Sequence, residues 1–180
     1  MKKTVLTFGL IAGVTISVLM DGSVLLANKI SSGHSLVLGY TMMVASFLLV
    51  YFGIRSYRDN TLGGQISFGR AFSCGILITL ITCIFYVATW EVVYFKFMPH
   101  FMDSYWAAQI HKIQSAGLDP ATTAAQIAAI QHSQQLYQNP LVNMAYTFME
   151  PLPVGLLMTL ISAAVLRRKA AAEPTAAPQT

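Results

Sequence analysis

Four long apolar runs, separated by polar connections, set the pattern of this chain. The first extends from Thr4 to about Ala27 and is broken late by Asp21 and Gly22; the second, Leu36 to Ile54, carries no charge. The third, Ala71 to Phe95, holds Glu91 near its far end, and the fourth, Leu141 to Leu166, is interrupted by Glu150-Pro151-Leu152-Pro153. Each is long enough to supply the roughly 20 apolar residues that a helix needs to cross a hydrocarbon core about 30 Å thick. Backbone polar groups in lipid must be satisfied within the span, and sustained apolarity with Gly, Thr and Met favours helices over a barrel. Met1-Lys2-Lys3 ahead of the first run imitates a signal peptide. The run exceeds the usual apolar length of about 7–15 residues and no small-residue cleavage site follows, so it reads as a retained helix.

The connections are unequal. Gly33 and His34 mark the turn between the first two spans, and the segment Arg55 to Arg70 is polar and glycine-containing, with Ser67 placed to cap the third helix. The segment from 97 to 139 is the long one. There Met98, Met102, Trp106, Ile110 and Ile113 recur at helical spacing, which predicts an amphipathic helix that Gly117 ends. Asp119-Pro120 then predicts a second helix, Asp as N-cap and Pro at the first helical position, with Ile127, Ile130 and Tyr137 on its apolar side. Asn139-Pro140 repeats this start signal before the fourth span. The expected fold class is all-α: an integral membrane four-helix bundle over 1–168, with spans at about 4–27, 36–54, 71–95 and 141–166. A two-helix extracytoplasmic insertion, 97–139, stands between helices three and four, and the Ala/Pro-rich end, 169–180, reads as a disordered cytoplasmic tail.

Composition strengthens this picture. Of 180 residues 55% are apolar and 10% charged, against about 25% charged in soluble domains, which argues against a water-soluble or a disordered chain. The net charge of +4 comes from clusters flanking the spans. With the N-terminus inside, eight Lys and Arg (Lys2, Lys3, Arg55, Arg58, Arg70, Arg167, Arg168, Lys169) face the cytoplasm and three (Lys29, Lys96, Lys112) face out. That bias predicts four crossings of a bacterial inner membrane with both termini cytoplasmic. It is no nucleic-acid surface, which needs a basic face on a folded module. Cys74 and Cys83 share one helix about 13 Å apart along its axis, too far to bridge.

Candidate chemistry is sparse. Gly9, Gly13, Ser17 and Asp21 fall four apart, Gly39, Ser46 and Gly53 seven apart, and Gly75, Thr79, Thr82, Tyr86 and Thr89 form a weakly polar stripe. Small residues at such spacings serve close helix packing, within the chain or against a second copy or another membrane protein. Besides the lipid bilayer, those are the expected partners. Three acids, Asp21, Glu91 and Glu150, lie toward the outer leaflet, and ionisable groups inside spans are candidates for ion, proton or substrate handling. Their convergence would make an outward-facing acidic site, with His34, His100 or Lys96 nearby. For Asp21 and Glu91 the preferred reading is hydration at the interface or pairing with Lys29 and Lys96. Glu150 is the stronger candidate: Pro151 disfavours the helical conformation at Glu150, and a broken helix frees backbone groups that transporter sites use, although the same prolines also read as a simple kink. His100 and Asp103, with His111 or His132, lack a fixed third ligand, so neither metal nor cofactor is expected. The glycines of 63–70 lack the Walker lysine, and no nucleophile–base arrangement can be placed.

The run Gly53-Ile54-Arg55-Ser56-Tyr57-Arg58-Asp59-Asn60, then Gly63-Gly64-Gln65-Ile66-Ser67-Phe68-Gly69-Arg70-Ala71-Phe72, together with Tyr86-Val87-Ala88-Thr89-Trp90-Glu91, resembles the bacterial membrane-protein family catalogued as domain of unknown function 4199. The resemblance spans nearly the whole chain. It implies a four-helix bacterial membrane protein and carries over no activity and no site residue. The expected function is that of a non-enzymatic integral membrane protein acting in packing or partner contact. The alternative is a small transporter or ion- or proton-coupled protein that uses Glu150, with Glu91 and Asp21 as helpers.

Overall fold

The computed structural model describes residues 1–27 and 32–168, and their side chains except those of 24–27 and 32–36. Three long helices come first: α1 (Lys2–Ala27), α2 (Ser32–Thr61) and α3 (Phe68–Val92), the last extended by a π turn over Val93–Phe97. Two shorter helices follow, α4 (Asp103–Gln114) and α5 (Pro120–Tyr137), and the fourth apolar segment is divided into α6 (Pro140–Met149) and α7 (Pro151–Leu166). Among the described residues there is no strand, and four stretches are long and apolar enough to cross a membrane: Lys2–Ser23, Val37–Thr61, Phe68–Phe97 and Pro140–Leu166. The expected tail, Lys29 and the side chain of His34 lie outside the described residues.

Three helix starts follow the side-chain chemistry. The Ser67 hydroxyl accepts from the Arg70 amide at 3.4 Å, Asp119 from Thr122 at 3.0 Å, and Asn139 from Leu141 at 3.0 Å. Each satisfies an amide that the first helical turn leaves without a partner. Gly117, at φ +69°, supplies the left-handed step between α4 and α5.

Two expectations are corrected. α2 starts at Ser32, so Gly33 and His34 belong to its first turn, and it continues beyond Ile54 to Thr61. Its polar tip stays helical because Arg55 pairs with Asp59 one turn on (3.6 Å) and Asn60 donates to the Ser56 hydroxyl (3.1 Å). The amphipathic helix expected from Met98 begins only at Asp103. Pro99 is the reason: it restricts Met98 to a non-helical conformation (φ −139°, ψ 57°), and turns fill 98–102.

The bundle is built on α3, which packs against α1, α2 and α7, while α7 also packs against α2. Glycines set these approaches. Gly9 and Gly13 of α1 face Ile81 and Phe85 of α3, and Ser17 hydrogen-bonds Thr89 at 2.7 Å one turn further along. Gly53 faces Ile78 and Phe8, Gly75 faces Ile54 and Thr159, and Gly155 faces Phe47 and Thr79. Apart from Gly39, which has nothing within 4 Å of where a side chain would start, the small-residue ridges are therefore occupied within the chain. Without hydrophobic drive in lipid, such close van der Waals contact is what holds helices together.

The two ends of the bundle differ. At the end holding 62–67, Ile66 and Arg168 exchange backbone hydrogen bonds of 3.1 and 2.9 Å. Beside them the buried Arg58 bonds Asp59 (2.6 Å) and the Leu166 carbonyl (3.4 Å). We call this the loop end. At the opposite, insertion end lie α4 and α5, in which no residue is buried.

Candidate functional site

The interruption of the fourth span generates the site. Pro151 and Pro153 have no N–H, so the carbonyls of Thr147 and Met149 lose their intrahelical donors. Contrary to the expectation from Pro151, Glu150 remains helical (φ −74°, ψ −56°), so it is the hydrogen-bond ladder that breaks. α7 sits between α2 and α3, whereas α6 packs chiefly on α3 and leaves a space toward α1 and α2. That space is a cavity of about 440 Å³. α1 contributes Ile16, Met20 and Ser23, α2 contributes Gly39, Tyr40, Met42 and Met43, and α3 contributes Tyr86 and Trp90. Phe101, Met102, Tyr105 and Tyr137 cover it from the insertion end.

Glu150 stands in the wall beside Tyr146 and Thr147. Glu150 is exposed, and part of its surface lines the cavity. The Tyr86 hydroxyl donates to Oε2 at 2.9 Å, and Oε1 accepts no hydrogen bond among the described residues. Tyr86 belongs to the polar stripe on α3, one turn short of its last member, Thr89. Toward the loop end the stripe is satisfied locally: Thr79 and Thr159 bond each other at 2.9 Å and Thr82 donates to the Ile78 carbonyl, as Ser46 of α2 does to the Met42 carbonyl. Phe47, Val50, Ile54 and Ile78 are fully buried there, so the cavity ends blindly toward the loop end.

An aromatic assembly shapes the other walls. Trp90 stacks on Tyr94 with ring centroids 5.8 Å apart and meets Phe101 edge-on at 5.7 Å. Its Nε1 donates to the Tyr137 hydroxyl at 3.1 Å, and Tyr137 in turn lies against Tyr94, Trp106 and Tyr146. Burial pushes the Tyr137 phenol above its ordinary value, with the Trp90 donor opposing, so it stays protonated. The fully buried Asn143 ties α6 to the end of α5: its Nδ2 donates to the Tyr137 carbonyl (3.3 Å), and its Oδ1 accepts from Thr147 (3.1 Å). Gln138 donates to the Tyr94 hydroxyl at 3.0 Å. These bonds tie the end of α5 to α3 and α6 beside the cavity.

The three candidate acids are not brought together. Asp21 is exposed and borders a separate apolar hollow with Phe85, Thr89 and Val92, on different faces of α1 and α3 from those at the cavity. Glu91 is half-buried and lines neither hollow, and its Oε1 is buried without a partner among the described residues. His100 and Asp103 contact each other at 2.9 Å on the surface, and among the described residues no three potential ligands gather around a metal position. Cys74 and Cys83 are buried free thiols.

The aromatic partners of Glu150 escape sequence reasoning. Tyr86 falls on the recognised stripe, but Trp90 and Tyr137 are neighbours only through the fold. The available signal is the crowding of Trp and Tyr near one end of several spans, a pattern that ordinarily reads as an interfacial belt.

The sequence profile described as "Protein of unknown function (DUF4199)" matches residues 7–168. No curated protein and no solved structure matches the chain significantly.

Proposed function

Because the chain belongs to the DUF4199 family of proteins of unknown function, we propose its role from the cavity: a non-enzymatic, multi-pass protein of the bacterial inner membrane that binds a small molecule around Glu150. Both chain ends lie in the cytoplasm in this reading, as the distribution of Lys and Arg favours, and α4 and α5 cover the cavity on the outer side. The observation that carries the reading is the asymmetry of the bundle. A cavity of about 440 Å³ with one carboxylate lies toward the insertion end, and a fully packed core closes the other. A blind pocket of this size has the form of a binding site and not of a conduit.

Cysteine accessibility in a background lacking Cys74 and Cys83 tests this. Single cysteines at Gln134 and Tyr40 should react with a membrane-impermeant maleimide on intact cells, and one at Gln65 only after permeabilisation. Reaction of Gln134 from the inside alone overturns the orientation, and an inert Tyr40 position overturns the outward opening.

The carboxylate at an interrupted span favours a second reading, ion- or proton-coupled transport through Glu150. Flux in proteoliposomes under ion and proton gradients decides it. Equal behaviour of wild type and Glu150→Gln eliminates that reading.

A further inference from the structure

We propose that the ligand of the cavity is an organic cation with an apolar body, of the quaternary ammonium or phosphonium kind. This rests on the binding reading above and adds the chemistry of what is bound.

Charge is the first argument. Glu150 is the only carboxylate in the lining, and among the described residues no Lys, Arg or His accompanies it. An anion placed there would be repelled by this carboxylate, while a cation would pair with it. The carboxylate is also oriented for the purpose: Tyr86 holds Oε2 at 2.9 Å and, among the described residues, leaves Oε1 without a donor.

The second argument is the wall. Tyr86, Trp90, Phe101, Tyr137 and Tyr146 all line the same space, and aromatic faces attract cations, Trp most strongly. Trp90 is fixed by its stack on Tyr94 and its hydrogen bond to Tyr137, so its face needs no ordering on binding. Methionines 20, 42, 43 and 102 supply deformable apolar contact for the remainder of the ligand.

The third argument weighs against a metal ion. Carboxylates are the principal charged ligands of hard metal ions, and among the described residues no group of three His, Cys, Asp or Glu gathers. One carboxylate surrounded by aromatic rings suits a large, weakly hydrated cation instead.

The test uses the full-length chain in micelles of a neutral detergent, titrated by equilibrium dialysis with tetraphenylphosphonium and, separately, with tetraphenylborate, an anion of the same shape. Saturable binding of the phosphonium alone is expected. Glu150→Gln should weaken it about tenfold, equivalent to about 1.4 kcal/mol, and Trp90→Leu about fivefold. Asp21→Asn, outside the cavity, should leave it unchanged. Saturable binding of the borate as tight as that of the phosphonium overturns the cation proposal while leaving the binding cavity intact. Saturable binding of neither ion overturns the cavity reading and this inference together. Phosphonium binding that survives Glu150→Gln undiminished overturns the role of the carboxylate. The two-ion comparison needs no variant, so a poorly folded mutant does not stop the test.

Discussion

The loop end and the insertion end of the bundle are built from the same four apolar segments, yet one is closed and the other hollow. Toward the loop end, Gly53, Gly75 and Gly155 let α2, α3 and α7 meet with Phe47, Ile54 and Ile78 filling the gaps. The Ile66–Arg168 bridge and the Arg58 bond to Leu166 then fasten the chain there. Toward the insertion end the facing residues are Tyr86, Trp90, Tyr137 and Tyr146, and Gly39 has nothing within 4 Å of where a side chain would start. The difference teaches that side-chain size along a helix seam, more than hydrophobicity, decides whether a membrane bundle closes. Lipid is as apolar as leucine, so helices are held where surfaces fit and part where they do not.

The most severe test of this contrast is a pair of glycine substitutions. A side chain at Gly155 meets Phe47 at 2.7 Å and overlaps Thr79 as well. Gly155→Val should therefore cost about 3 kcal/mol in denaturation from detergent. Gly39→Ala has open space and should gain up to about 1 kcal/mol from helix propensity. Equal losses at both positions would remove the distinction between the ends.

Smaller effects sharpen it. Arg58→Ala leaves the loop-end fastening incomplete and should cost about 2 kcal/mol, read from the same unfolding curves. It should leave ligand access to Tyr40 unaltered. Tyr86→Phe removes the donor to Glu150 and should cost about 1 kcal/mol, with its larger consequence in phosphonium binding. The smallest effect concerns pH. Bonds from Thr122, its side chain first and its backbone amide next, hold the Asp119 carboxyl below the ordinary range. A lowered carboxyl stabilises the fold above its unfolded-state value, and that contribution is lost as the pH falls through the folded-state value. Hydrogen exchange should show α5 amides losing protection on acidification while α1, α3 and α7 keep theirs. Uniform loss across all helices would contradict the separate stability of the insertion.

Much of the architecture is legible along the chain. Ser67, Asp119 and Asn139 announce their helices because an N-cap is a contact over two or three residues. Glu150-Pro151 announces the interruption because proline lacks a donor wherever it stands. The insertion was less legible, since Pro99 overrides the periodicity that starts at Met98. The candidate acids were least so. Asp21 continues the Gly9–Gly13–Ser17 ridge by spacing, yet it emerges exposed beside α3, because the rotation of α1 is set by how its glycines seat on Ile81 and Phe85.

From its sequence alone this protein has four helical segments able to cross a membrane, their caps, and a carboxylate at a proline break. All of these are properties of neighbours in the chain, enforced by the need to satisfy backbone groups in lipid. Only the tertiary structure sets Glu150 against Tyr86, gathers Trp90 with Tyr137, and separates Asp21 and Glu91 from them. Those relations depend on how each helix is rotated and how far it stands from the next, which contacts between distant residues decide and no local spacing records.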